Sequence, residues 1–134
     1  MPNNKKVAIY CRVANQDQFA LKQQQEALLF YAKENGFDKY DIISYSDNGY
    51  SGMNFARPAF SILQEGIRVG VIGVVIVKDL SRIGREYLQT SEWLYKIKND
   101  GVVFIEANLS LKENLIRNMG YFENFFERER FLCI

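Results

Sequence analysis

The sequence predicts an α/β domain of three layers. A mostly parallel central sheet of four or five strands carries helices on both faces, and a long helix closes the C-terminal end. Three observations carry this prediction. Short runs of β-formers alternate with longer helical patterns, the order expected of parallel strands joined by crossover helices. The run VIGVVIVK, residues 71–78, is almost continuously apolar, as a strand buried on both faces must be. Gly36, Gly70 and Gly101 each stand just beyond a helical pattern, where a residue without a β-carbon ends a helix most easily.

The elements follow in order. VAIYCRV, Val7 to Val13, reads as the first strand, with odd positions Val7, Ile9, Cys11 and Val13 wholly apolar. The period of two puts Tyr10, Arg12 and Ala14 on the other face or its rim, and leaves Cys11 a small buried residue opposite Arg12. A helix from about Asp17 to Asn35 presents Leu21, Leu28, Tyr31 and Ala32, with Gln24 inside that apolar stripe. DIISYSD, Asp41 to Asp47, is a second strand, and NGYSGMNFARP, Asn48 to Pro58, is a loop ending where proline can open a helix. That helix runs to about Val69. After the third strand, DLSRIGRE is a loop. A helix from about Tyr87 to Asp100 is expected to turn Leu88, Ser91, Leu94 and Ile97 inward. VVFIEAN, Val102 to Asn108, is the fourth strand. From about Lys112 to Ile134 a long helix is expected, with Leu115, Ile116, Met119, Phe122 and Phe126 along one side. The whole, residues 1–134, reads as one domain, with an α/β core over 1–111.

Composition narrows the function. The chain has 134 residues, 48% hydrophobic and 25% charged, which is a globular balance. No apolar stretch approaches the ~18–20 residues that cross a bilayer, and the start lacks a secretory cleavage pattern, so the expected location is cytoplasmic and no membrane partner is expected. The absence of histidine excludes Ser-His triads and HExxH metal sites. Cys11 and Cys133 give neither a disulfide framework nor a zinc spacing, and no metal is expected. The net charge of +1 confines any DNA contact to a local arginine cluster.

Ligand chemistry in such a sheet belongs at the carboxyl ends of the strands. Three polar clusters fall there: Arg12 with Ala14, Asp47 through Arg57, and Arg82 with Arg85. Guanidinium donors match phosphate oxygens and stay charged, so the ligand they suit carries phosphate. No GxGxxG or GxxxxGK[ST] pattern is present, which disfavours a nucleotide cofactor. Each cluster has a plainer alternative. Asp47 before Asn48-Gly49 also suits the start of a turn, Gln24 also suits a backbone hydrogen bond, and Arg82 and Arg85 also suit solvated loop charges.

YCRVANQDQ, residues 10–18, resembles the active-site signature of the serine recombinases, the resolvase and invertase family. In that signature a Tyr, one residue, an Arg, a small apolar residue and a nucleophilic Ser are followed by a Gln four residues on. Tyr10, Arg12, Val13 and Gln18 fit; Ala14 occupies the nucleophile position. SDNGYSG resembles the family's Asp-loop-Ser-Gly segment, giving those roles to Asp47 and Ser51. Arg57 in ARP resembles a mobile-loop arginine. VKDLSRIGR resembles the segment whose arginines are Arg82 and Arg85, in the KDLSR form of the larger, mobile-element members. Gln24 resembles a second supporting glutamine, with one extra residue of spacing. FERER resembles the start of a subunit-pairing helix, with Arg128 contributing to the site. The resemblance covers essentially the whole chain.

The resemblance implies attack of a serine on a DNA phosphodiester, with arginines stabilising the charge on the phosphoryl oxygens. Arg12, Arg57, Arg82 and Arg85 would hold phosphate. Cleavage, subunit exchange and rejoining would take place in a tetramer built from homodimers, without metal, nucleotide or other cofactor. Met119, Phe122 and Phe126 would lie at the oligomer interface. Ala14 implies a cleavage-deficient domain, and with no helix-turn-helix pattern after FERER, DNA binding through this domain alone is expected to be weak. Asn15 also departs from the family, which usually has Ser or Thr there, and Gly66 from the small resolvases, which place Lys there. Two other readings remain open: a non-catalytic regulatory module that dimerises through its C-terminal helix, and a small α/β domain for a phosphate ligand.

Overall fold

The computed structural model describes residues 5–53 and 55–118. Its strands are β1 (Lys6–Val13), β2 (Ile42–Asn48), β3 (Ile72–Val77) and β4 (Val103–Glu106), and its α-helices are α1 (Gln18–Glu34), α2 (Pro58–Arg68), α3 (Tyr87–Asn99) and α4 (Leu111–Arg117). All three strand pairings are parallel, in the order β2-β1-β3-β4. The sheet has four strands, and no helix among the described residues is long and apolar enough to cross a membrane.

Strand periodicity divides the core in two. Val7, Ile9 and Cys11 pack with Leu21, Leu28 and Ala32 of α1 on one face, joined by Leu111 and Leu115 of α4. Ala8 and Tyr10 pack on the other face with Phe60, Leu63 and Ile67 of α2 and Trp93 and Ile97 of α3. β3 contributes Val74 and Ile76 to the first face and Val75 and Val77 to the second, and every one of its residues is buried. Each fully buried aliphatic or aromatic side chain stabilises the fold by about 1.5–3 kcal/mol.

Helix ends follow the expected chemistry. Asp17 caps α1 by accepting from the Ala20 amide, and Gly36 takes φ 81° just past the helix. Pro58 is the first residue of α2, Glu86 caps α3, and Ser110 with Glu113 forms a capping box on α4.

Two helix faces differ from expectation. On α3, Leu88 and Ser91 are exposed, and the buried residues are Thr90, Trp93 and Ile97. The spacing 90-93-97 puts the single tryptophan against Phe60 and Phe104, and burying that ring outweighs burying Leu88. On α4, Ile116 is exposed and the buried positions are Asn114 and Asn118. Asn114 Oδ1 accepts from the Glu106 amide at 2.9 Å and its Nδ2 donates to the Glu106 carbonyl at 2.9 Å. Asn118 does the same for Phe104, at 3.4 and 2.9 Å. Two asparagines one helical turn apart thus satisfy the outer edge of β4, where a fifth strand would otherwise pair. The expected long helix is present from Leu111 to Arg117; Met119, Phe122, Phe126 and Arg128 lie outside the described residues.

Candidate active site

The strand order reverses between β1 and β3, and the chain ends of these strands enclose the candidate site. β1 outruns β3, whose last pairing with it is Ile76 to Ile9. Beyond that point Gln24 of α1 completes the backbone of β1. Its Oε1 accepts from the Arg12 amide at 3.1 Å, and its Nε2 donates to the Arg12 carbonyl at 3.4 Å. A polar residue on the apolar stripe of α1 is therefore fully used.

The Arg12 side chain is 2% exposed and joins two loops. Nε donates to the Arg82 carbonyl at 3.0 Å, Nη2 to the Ser81 carbonyl at 2.7 Å, and Nη1 to the Tyr50 carbonyl at 2.9 Å. Gly52 makes this approach feasible, since a Cβ there would lie 2.7 Å from Nη2 of a guanidinium already pinned by three carbonyls. Gly84 serves the same junction: a Cβ there would lie 2.5 Å from Thr90 Oγ1 and 2.9 Å from Phe55. The two glycine loops then bond directly, Arg85 amide to Gly52 carbonyl at 2.8 Å.

Beneath this junction lies a buried relay. Asp47 accepts from the amides of Ala59 and Phe60, capping α2 from β2, and from the Tyr10 hydroxyl at 2.7 Å. Arg57 Nη1 donates to the same hydroxyl at 3.1 Å and to the Arg82 carbonyl at 2.9 Å, and Nη2 donates to the Ile83 carbonyl. The Arg57 guanidinium sits 4.5 Å from the Phe60 ring centre and 5.5 Å from that of Phe55. Burial and the Asp47 carboxylate push the Tyr10 hydroxyl well above the ordinary phenol range. Burial pulls Arg57 below the ordinary guanidinium value; Arg12 is pulled down by burial and then by Arg57. Among the described residues neither arginine forms an ion pair. Arg12 is held by neutral carbonyls, so its positive potential stays available to an anion, whereas Asp47, one hydroxyl away, offsets part of the Arg57 charge.

At the surface a cavity of about 260 Å³ is lined by Arg12, Ala14, Asn15, Asp17, Arg82 and Arg85, with Val13 and Ala20. Ala14 is exposed at its rim. Arg82 keeps Nη1 within 3.2 Å of Ser81 Oγ and 4.0 Å of Asp79, and Arg85 is exposed. Such a site can hold a phosphate at a sheet switch point, with no nucleophilic side chain at Ala14.

With this geometry in place, the comparisons are specific. The sequence matches the family described as Resolvase, N terminal domain, over residues 7–129. This chain belongs to the resolvase family. Its fold is that of the serine recombinase catalytic domains. The N-terminal catalytic domain of TP901-1 integrase is similar over 93% of this chain and 98% of its own, with TM-score 0.70 and 28% identity. The first open reading frame of transposon ISC1904 from Sulfolobus solfataricus P2 matches over 93% and 88%, with TM-score 0.61 and 25% identity. A protein of Bacillus subtilis (strain 168) named as a DNA recombinase is 34% identical over 86 residues, 61% of this chain. The chain spans 16% of that relative's length.

Within this resolvase-family fold the expected site residues separate. Arg12, Ala14, Arg82 and Arg85 meet around one cavity. Tyr10, Asp47 and Arg57 form the relay beneath it, so Arg57 in this conformation supports carbonyls and does not line the cavity. Gln24 holds the Arg12 backbone. Gln18 is exposed and accepts from Asn48 Nδ2 at 3.1 Å, tying α1 to the end of β2. Ser51 is exposed and accepts from the Met53 amide at 3.1 Å. Arg128 lies outside the described residues. Sequence reasoning passed over Gly52 and Gly84, although glycine beside an arginine-bearing loop is a legible sign of close approach.

Proposed function

We propose that this chain is the phosphodiester-binding catalytic domain of a site-specific DNA recombinase and that, as it stands, it grips DNA without cleaving it. One observation carries the reading: Arg12, Arg82 and Arg85 surround one cavity at the sheet switch point, with Ala14 at the rim where the family's nucleophile belongs. Arg82 and Arg85 supply charge-assisted donors to the phosphoryl oxygens, and Arg12, held by neutral carbonyls, adds positive potential from behind. Asp47 and Tyr10 hold Arg57, and Gln24 holds Arg12, so Asp47, Tyr10 and Gln24 act by positioning. A methyl group at position 14 cannot attack phosphorus. The full reaction of such a bacterial or mobile-element-encoded protein, in the cytoplasm, would involve homodimers pairing into a tetramer through the segment carrying Met119, Phe122 and Phe126.

The test is Ala14→Ser. With the chain tethered to a DNA-reading module of known specificity, the serine variant should form a covalent protein-DNA adduct on denaturing gels. The parent should fall short by several orders of magnitude. A serine variant that binds the DNA yet yields no adduct overturns the site assignment.

A further inference from the structure

Glu106, at the carboxyl end of β4, takes no part in the phosphate site described above, yet its carboxylate is only 9% exposed. Its two oxygens face different elements. Oε1 accepts from the Leu80 amide at 2.7 Å, and Oε2 pairs with Arg117, the last residue of α4. Leu80 opens the short helical turn Leu80–Arg82. The next two carbonyls of that turn, of Ser81 and Arg82, are the acceptors that fix Arg12 and Arg57. The same turn presents the Arg82 side chain to the cavity. On its other side the turn is capped by Asp79, which accepts from the Ser81 amide at 3.0 Å.

We infer that Glu106 is a positioning residue that couples the end of α4 to the arginine site. A carboxylate can hold an amide and a guanidinium at once because each of its oxygens accepts independently. Arg117 is 55% exposed along its side chain, and the Asn114 and Asn118 bonds fix α4 on the β4 edge. A shift at the end of α4 therefore reaches the Leu80 amide through one side chain, and then the carbonyls that aim Arg12. Energetic coupling through such a chain of contacts requires that both ends respond to one change, which is a measurable property.

The experiment uses the full chain labelled with nitrogen-15, with thymidylyl-(3′,5′)-thymidine as the phosphodiester probe. Arg117→Gln removes the ion pair without touching Leu80. It should move the amide signals of Leu80, Ser81 and Arg82 and weaken binding of the dinucleotide by about threefold or more. Arg117→Lys, which restores a cation, should recover both. Glu106→Gln should reproduce the Arg117→Gln shifts, since an amide group cannot accept on both sides. A purely local ion pair would lower the melting temperature alone and leave the amides of residues 80–82 in place, and that result overturns the coupling. The binding readout rests on the phosphodiester reading above; the amide shifts do not. If the parent chain fails to bind the dinucleotide, the phosphodiester reading fails, and the amide shifts still decide the role of Glu106.

Discussion

At the scale of single residues, the site separates arginines by what they spend their donors on. Arg12 and Arg57 donate to backbone carbonyls and Tyr10, whereas Arg82 and Arg85 face the cavity. Tyr10 stands between Asp47 and Arg57, donating to the carboxylate and accepting from the guanidinium. Tyr10→Phe leaves Asp47 its two amides and Arg57 its carbonyls, so one charged pair of bonds is lost. Urea unfolding should register about 1.5–3 kcal/mol of destabilisation. On the opposite face of the same strand, burial pushes the Cys11 thiol up to about 12. An unfolded thiol titrates near ~8.5. The folded pKa is the higher one, so this contribution is complete below that lower value and is lost as pH rises toward the folded one. Between pH 8 and pH 10 the chain should lose about 2 kcal/mol through this thiol, and Cys11→Ala should lose less over the same interval. Urea midpoints at the two pH values check this, and equal losses in both proteins would contradict it.

At the scale of elements, α4 substitutes for a strand. Asn114 and Asn118 satisfy both backbone groups of Glu106 and Phe104 at the edge of β4. Removing either amide strands a buried N–H and C=O, at a cost of about 1–3 kcal/mol. Asn114→Ala should speed hydrogen exchange at the Glu106 amide, and Asn118→Ala at the Phe104 amide. Uniform acceleration along β4 would instead mean that the helix is lost as a unit. This arrangement was hidden in the sequence because the most deeply buried positions there are asparagines, while apolar periodicity pointed to Leu115, which does pack on the core, and to Ile116, which is exposed. The face of α3 is offset in part from the one the sequence predicts. Of the expected stripe Leu88, Ser91, Leu94 and Ile97, the last two do pack on the core, and the aromatic cluster around Trp93 turns Leu88 and Ser91 outward. By contrast β1, β3, α1 and α2 were legible, because strand alternation, a continuous apolar run, an Asp cap and an N-terminal proline each have one physical reading. The cavity residues were legible through their motifs. The inward course of Arg57 was not, since spacing carries no information about whether a loop side chain turns toward solvent or toward three aromatic rings.

At the scale of the whole molecule, a net charge of +1 coexists with four arginines gathered at one end of the sheet. Long-range attraction to DNA is therefore small, and binding depends on how many of those arginines can neutralise phosphate. Each phosphate contact on duplex DNA adds about 0.9 to the steepness of log K against log salt. If Arg82 and Arg85 alone are free to make such contacts, the slope should be about −2. If Arg12 and Arg57 left their carbonyls to join them, it should approach about −4. Titrating the chain with duplex DNA across a salt series distinguishes the two. Arg85→Ala should reduce the slope by about 1. Arg57→Lys should leave the slope unchanged while lowering stability, because a lysine cannot reach Tyr10 and two carbonyls with one planar fork. Affinity should stay far from nanomolar at physiological salt, since two phosphate contacts give only the weak, sequence-independent part of binding. Nanomolar, sequence-specific binding by this chain would contradict that division of labour among the arginines.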